Sequence, residues 1–390
     1  MDTLKREIIS QRVRQVKPSG IRKFFDIINT MPNVISLGVG EPDFVTPEHI
    51  RQAGIESIQQ GRTRYTSNSG TVELREEIAS MVQRQYGLTY DPISQVLVTV
   101  GVSEGVDLVM RTILDPGDEV ISPDPGYVAY EADIIFAGGV PVPVPTYAQY
   151  NFGVRAAEIE AAITPRTKMI LLGNPNNPTG AVIPREELEG IARLAVEHDL
   201  IVASDEVYSR LVYGTEYVSI ANMPQMQERT VILNGFSKAY AMTGWRVGYV
   251  LAPAEILSAL LKVHQYTIMC AGTAAQEAAL QALRHGEPDV ERMHADYARR
   301  GRMFVDGLNR IGLPACEPRG AFYAFPYIGN TGMSDEEFAE KLLFEEEVAV
   351  VPGSSFGAAG QNYVRATYCT AYEKLEEALV RIERFIKKHA

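Results

Sequence analysis

Residues 168–208 read KMILLGNPNNPTGAVIPREELEGIARLAVEHDLIVASDEVY. An apolar run leads into a turn made of Asn, Pro, Thr and Gly. A segment from Pro184 to His198 follows, with apolar residues at helical spacing. A second apolar run then ends in Ser204-Asp205-Glu206. Pro184 is predicted at the first helical position, and Glu186 and Glu187 fall in the first turn, where the helix dipole favours acids. An unbroken apolar strand, a helix and another unbroken apolar strand form a βαβ unit. Strands with no polar alternation are buried on both faces, which predicts a mostly parallel sheet covered by helices.

The pattern extends outward on both sides. Similar runs are QVLVTV, DEVISP, TVILNGFSK and VGYVLAP, between about residues 95 and 252. Residues 71–86 and 104–114 are predicted helices between or before them. Alternation of this kind places the chain in the α/β class. After about residue 285 the composition becomes more charged. A long helix is expected over 288–311, then a β-like GAFYAFPYI, a helix over 335–346, short strands at VAVVPG and NYVRATYC, and a terminal helix. This is an α+β pattern and suggests a second, smaller domain. An N-terminal helix over 3–16 stops before Pro18-Ser19-Gly20 and is expected to join it. The expected division is an arm and part of the small domain at 1–46, a large α/β domain at 47–285, and the rest of the small domain at 286–390.

Composition bounds the function. The chain has 390 residues, 46% hydrophobic and 22% charged, with formal net charge −12 and pI about 5.1. The acidic balance argues against nucleic acid and anionic membranes as main partners. The three cysteines, Cys270, Cys316 and Cys369, are widely spaced, and no Cys/His cluster has metal-ligand spacing, so no metal is expected. The charged N-terminus lacks the apolar core of a secretory signal, and no apolar stretch reaches membrane-spanning length, so a cytoplasmic location is the expectation.

In open α/β sheets ligands sit beyond the carboxyl ends of the strands. Four motifs fall there. Gly101-Val102-Ser103-Glu104-Gly105 follows QVLVTV and opens a helix, where backbone N–H groups and the dipole favour a phosphate. A plain Ser N-cap would also explain it. The segment also matches G-x-S-x-G, the elbow of serine hydrolases, which needs a partnering histidine such as His198, His264 or His285. Asn174-Pro175-Asn176-Asn177-Pro178-Thr179-Gly180 can hold an amide rigidly, or be an ordinary tight turn. Asp205, in Ser204-Asp205-Glu206-Val207-Tyr208, ends a buried strand, where an acid is costly unless paired; a helix N-cap is the plainer role. Lys238, just past the run TVILNGFS, lies where desolvation lowers an amine's pKa, with Arg246 eight residues on; a surface lysine is the plainer role. Trp245, the chain's only Trp, sits among small residues there, which suggests tight packing around a ligand.

The strings NPNNPTG, SDEVY and SKAYAMTGWRVGY, in this order and spacing, resemble the class I/II aminotransferase family of fold-type I pyridoxal-phosphate enzymes. The likeness runs from LGVGEPDF (37–44) to YVRATY (363–368) and is nearest to the microbial aspartate and aromatic aminotransferase branch. It implies a large domain with a seven-stranded sheet, pyridoxal 5′-phosphate as cofactor, and ping-pong transfer of an amino group from an L-amino acid to an α-keto acid such as 2-oxoglutarate. Lys238 would carry the cofactor as a Schiff base and shuttle protons. Asp205 would pair with the pyridinium nitrogen. Asn177 and Tyr208 would donate to the ring's phenolic oxygen, and Tyr127 would stack on the ring. Val102, Ser103 and Glu104 through their backbone, with Ser237 and Arg246, would hold the phosphate. Tyr65 would reach the phosphate of a neighbouring subunit, which implies a homodimer with shared sites. Arg365, Gly40 and Asn177 would bind the substrate carboxylate, and Ile21 belongs to a segment closing over it.

One departure is Gly235, where many relatives carry a hydroxyl residue facing the phosphate. The same fold also houses lyases and synthases, and the serine-hydrolase reading of GVSEG stands as an outsider. Arg365 accounts for a carboxylate common to all amino acids, so aspartate, aromatic and alanine-type donors all fit.

Overall fold

The computed structural model describes residues 7–17, 31 and 33–389. A short strand, β1 (Ile35–Ser36), comes first. Seven strands then build one sheet: β2 (Val96–Thr99), β3 (Glu119–Asp124), β4 (Val140–Pro145), β5 (Thr167–Gly173), β6 (Ile201–Asp205), β7 (Thr230–Gly235) and β8 (Gly248–Leu251). Their order across the sheet is β2-β8-β7-β6-β5-β3-β4. The β3, β4, β5, β6 and β7 pairings are parallel, and β8 runs against β7 and β2.

The apolar runs explain the layering. Along β5, Met169 and Leu171 join one buried cluster, while Ile170 and Leu172 join another on the opposite face. Alternate residues go to opposite faces, so a strand with no polar residue needs cover on both. The helices Gly101–Ile113 and Arg185–Glu197 supply it from the two sides: Val106 and Val109 pack in the first cluster, Leu188 and Ile191 in the second. The helix Val72–Tyr86 begins at Thr71, whose hydroxyl accepts from the Leu74 N–H, and ends at Gly87 in the left-handed conformation.

The C-terminal part forms a three-stranded antiparallel sheet from β9 (Tyr323–Ala324), β11 (Val351–Pro352) and β12 (Val364–Thr367), while β10 (Val348–Ala349) pairs in parallel with β1. Ile35 and Leu37 enter the same buried cluster as Phe338, Val348 and Phe385. Both ends of the chain therefore build this part.

Three local expectations need correction. Pro184 is the N-cap, with extended backbone, and the helix begins at Arg185. The helix expected from residue 104 starts at Gly101, so the glycine turn is inside its first turn. Of GAFYAFPYI, only Tyr323–Ala324 is strand. A further correction concerns the N-terminal helix, which covers Gln11–Gln15 and lies against the helix Ala129–Ala137 of the large part rather than on the small one, with Arg12 donating to the Phe136 carbonyl at 3.1 Å; residues 3–6 lie outside the described residues.

Beyond β6 lies a buried acid that faces away from Asp205. Glu206 accepts from the Ser204 hydroxyl at 3.0 Å and the Ser219 hydroxyl at 2.6 Å. Burial pushes its carboxyl up to about 7 from 4.5, and the serine bonds only partly offset this. The folded form thus keeps a proton that the unfolded chain releases. Stability is fully present below pH 4.5 and is lost as pH rises to about 7. Glu206→Gln mimics the neutral form and keeps an acceptor. It should be more stable than the parent by about 2–3 kcal/mol at pH 8 and by less than ~1 kcal/mol at pH 5, read from thermal unfolding at both values.

Candidate active site

The parallel strands end along one edge, and the loops leaving them wall a cavity of about 640 Å³. Val102, Ser103, Tyr127, Asn177, Asp205, Tyr208, Ser237, Lys238, Arg246, Gly40 and Arg365 all line it. These residues, singled out in the sequence, thus converge on one space.

Lys238 follows β7 and is mostly buried. Its Nζ donates to the Gly40 carbonyl at 2.7 Å. Burial pulls the amine down to about 8 from 10.5; Cys369 and Glu41 push it back up, and the charges of Arg365 and Arg246 lower it further. Gly40 must be glycine, because a Cβ there would collide with the Tyr323 hydroxyl.

Asp205 ends β6 and is 8% exposed. Burial raises its carboxyl. The Tyr130 hydroxyl, donating at 2.7 Å, the Val207 N–H at 3.2 Å and the nearby Lys238 charge pull it back. No helix follows, so the N-cap role does not apply. Tyr130 is fully inside the protein, and its own ionisation is pushed well upward, so it remains a donor. Tyr127, in the loop just before the helix Ala129–Ala137 that carries Tyr130, meets the Tyr130 ring edge-on, with centroids 5.5 Å apart.

The Asn-Pro turn shows a division of labour. Asn174 Oδ1 accepts from the Ile183 N–H, and Asn176 Oδ1 from the Thr179 N–H. These two fold the turn. Asn177 is left to face the cavity, where its Oδ1 accepts from Arg365 Nη1 at 2.9 Å. Arg365, on β12, also donates through Nη2 to the Gly38 carbonyl at 2.5 Å. The Tyr208 and Tyr323 hydroxyls are 2.7 Å apart.

At the helix Gly101–Ile113, Arg246 lies against the first turn: a Cβ on Gly101 would stand 2.7 Å from Nη2. Arg246 takes left-handed backbone, φ +52°, after the turn Thr243–Trp245, and donates to the Thr243 carbonyl at 3.1 Å. A guanidinium beside a helix N-terminus is an anion cradle. Glu104 contributes no side chain to it. Its carboxylate accepts from the Val100 N–H at 2.5 Å and contacts His264 Nδ1 at 2.6 Å. At Gly235 a Cβ would stand 3.0 Å from the Gly248 Cα and 3.2 Å from the Val102 side chain, so close packing accounts for the missing hydroxyl.

Two expectations fail or lie elsewhere. Trp245 does not line the cavity: its ring lies on Gly54 and its indole N–H donates to the Thr46 hydroxyl at 3.1 Å. Its neighbours do not share that contact: Thr243 lines the cavity, and a Cβ on Gly244 would meet open space. Ile21 lies outside the described residues. Tyr65 is 81% exposed and is not part of this chain's own cavity wall. No histidine lines the cavity, which leaves Ser103 without the base that hydrolysis needs. Among the described residues no cluster could hold a metal, and no helix is long and apolar enough to cross a membrane.

Sequence reasoning missed Tyr130, Tyr323 and Asp133. Tyr130 lies in the first turn of the helix Ala129–Ala137, just after Tyr127, with no local signal that separates it from core. Tyr323 carries no local signal, since pairing of β9 with β12 brings it in.

The donor set fits a phosphorylated pyridine aldehyde: an amine near neutral pKa, a buried carboxylate without a cationic side-chain hydrogen bond, an aromatic wall and an anion cradle share one cavity. A family model for aminotransferase class I and II matches residues 32–382. A putative aminotransferase of Bacillus subtilis, YugH, is 53% identical over 380 residues, covering 97% of this chain and 98% of that protein. Aromatic-amino-acid aminotransferase 2 of Thermococcus litoralis is 45% identical, covering 97% and 98%. The solved structure of Thermus thermophilus aspartate aminotransferase with maleate superposes with TM-score 0.92 at 40% identity, covering 97% of this chain and 99% of that one. These comparisons favour a transferase over a lyase or hydrolase. With site, fold and relatives in agreement, the chain belongs to the class I and II aminotransferase family and is a pyridoxal-phosphate-dependent aminotransferase.

Proposed function

We propose that the cavity binds the cofactor and the amino acid together, with Lys238 as the catalytic amine. The carrying observation is that Lys238, Asp205 and the Arg246 cradle open onto one cavity with Arg365 on its wall. Bound pyridoxal phosphate supplies an aldehyde that takes up the amino group and a ring that accepts electrons.

The chain's residues do the rest. The helix N-terminus at Val102, Ser103 and Glu104, with Ser237 and Arg246, holds the phosphate. Tyr127 covers one ring face. Asp205, whose charged form the Tyr130 hydroxyl favours, pairs with the ring nitrogen and holds its proton there. Asn177 and Tyr208 present polar groups to the ring oxygen. Arg365 takes the α-carboxylate as a planar fork and thereby fixes the orientation of the substrate's Cα. The Nζ of Lys238 moves the proton at that carbon, and a pKa near 8 suits it to do so at neutral pH. Exposed Tyr65 serves the site of a second copy, which makes the active form a homodimer, and the enzyme works in the cytoplasm. The division at residues 46 and 285 separates the cofactor-binding part from the part bearing Arg365.

The relatives named for aspartate and aromatic amino acids suggest donors of those classes, and 2-oxoglutarate is the acceptor proposed for them. A panel of amino donors tests this. Glutamate should form in proportion to the donor consumed. Release of ammonia or pyruvate from a single substrate, with no need for an acceptor, would refute transamination.

A further inference from the structure

The Arg365 guanidinium lies between two aromatic rings, 4.6 Å from the centroid of Tyr323 and 4.7 Å from that of Phe356. Tyr323 is fixed by pairing of β9 with β12. Phe356 has no strand to fix it. It ends the 3-10 turn Gly353–Phe356, and a second turn, Ala358–Gly360, follows Gly357.

This loop is tied at both ends. On its own side, the Ser354 N–H donates to Asp335 Oδ2 at 2.7 Å. Across the cavity edge it is tied to the segment leaving β3. The Gly126 N–H donates to the Phe356 carbonyl at 2.9 Å, and the Ala359 N–H donates to Asp124 Oδ1 at 3.2 Å. Gly357 sits so close to Asp124 that a Cβ there would collide with the carboxylate, and its φ of +132° also favours glycine. Asp124 is buried and forms no ion pair among the described residues. Burial raises its carboxyl, while the Ala358 and Ala359 N–H groups counteract that rise. A buried acid without a cation is unfavourable, and no step assigned above uses it.

We propose that Asp124 is a positioning residue whose carboxylate clasps the 353–360 loop to the end of β3, seats Phe356 on the Arg365 guanidinium, and so sets affinity for the substrate's α-carboxylate. This rests on the assignment of Arg365 to that carboxylate. A fork binds two oxygens at once only if its plane is fixed, and stacking fixes the plane. Without the clasp the ring leaves and the fork turns.

The test uses the cofactor-loaded enzyme, with KM and kcat for its best donor and the Kd of maleate as an unreactive carboxylate probe. Asp124→Ala should raise KM and the maleate Kd roughly tenfold, the scale of a desolvated cation–π contact, with kcat changed less than about twofold. The absorbance of the bound cofactor should be unchanged. Asp124→Asn keeps an acceptor oxygen and should restore binding to within about threefold of the parent. Phe356→Ala should match Asp124→Ala, and the double variant should be no worse than Phe356→Ala alone. An unchanged maleate Kd in Asp124→Ala, or full additivity in the double variant, overturns the clasp. If Asp124→Ala does not fold, Asp124→Ser is read the same way. Arg365→Ala separates the two layers. If it leaves the maleate Kd unchanged, the carboxylate assignment itself is wrong; if it weakens maleate while Asp124→Ala does not, only the clasp falls.

Discussion

Lys238→Ala should lower kcat by at least ~10³-fold while leaving the fold intact, since general acid–base catalysis alone supplies ~10²–10⁴-fold and covalent attachment is lost with it. The expectation follows from where the amine sits. Lys238 is buried behind β7 with its Nζ on the Gly40 carbonyl, and desolvation brings its pKa to about 8. At pH 8 about half of such amines are neutral, whereas at 10.5 roughly one in three hundred would be. A neutral amine is what both attachment and proton movement require. No other amine lines the cavity: its other basic side chains are the guanidiniums of Arg246 and Arg365, which bind anions rather than act as amine nucleophiles. The pH dependence carries a sign. Binding of cofactor to the free protein should speed up as pH rises through about 8, because the neutral fraction of Lys238 grows there. Stopped-flow absorbance against pH reads this, and single-turnover assays read the rate loss. A Lys238→Ala enzyme working within tenfold of the parent would refute the assignment.

Asp205→Ala should have the next largest effect: a loss of ~10²–10³-fold in cofactor affinity, the size expected when a buried charge pair loses one partner. Asp205 sits at a buried place on the cavity wall where burial opposes its ionisation, while hydrogen bonds from Tyr130 and Val207 and the nearby Lys238 charge favour it. On the proposed assignment, a positive ring nitrogen would compensate that burial, and the carboxylate would in turn keep the ring protonated. Tyr130→Phe removes one donor and keeps the ring. A hydrogen bond to a charged group contributes about 1.5–3 kcal/mol, so cofactor affinity should fall roughly tenfold to a hundredfold. Equilibrium dialysis of the cofactor measures both. If Asp205→Ala binds cofactor as tightly as the parent, the carboxylate does not face the ring nitrogen.

Most of the sheet could be read from the chain because its strands are buried on both faces, and burial leaves an unmistakable apolar run. KMILLG and LIVASD became β5 and β6 almost to the residue. The helix expected over 335–346 is present over those residues, and that over 71–86 starts one residue later, with Thr71 as its cap. Pro184 misled because its fixed φ suits both the N-cap and the first helical position. The site residues on strand ends and turns were legible because the chain brings them in within a few residues of a strong element. Those that reach the site through tertiary pairing were not. Tyr323 arrives on a two-residue strand, and Phe356 on a loop held by Asp124 and Asp335. Neither has a local pattern that separates it from core. Trp245 was misread for a related reason: crowding by small residues signals close packing, and here the partner is Gly54 on a neighbouring helix.

The central proposed feature is an amine at Lys238 that carries the cofactor beside the carboxylate of Asp205. Borohydride reduction of the purified enzyme, followed by peptide mass mapping, tests this directly. The pyridoxyl mass should appear on the peptide containing Lys238 and vanish in Lys238→Ala. A label on another lysine, or none on an enzyme that still transfers amino groups, would contradict it.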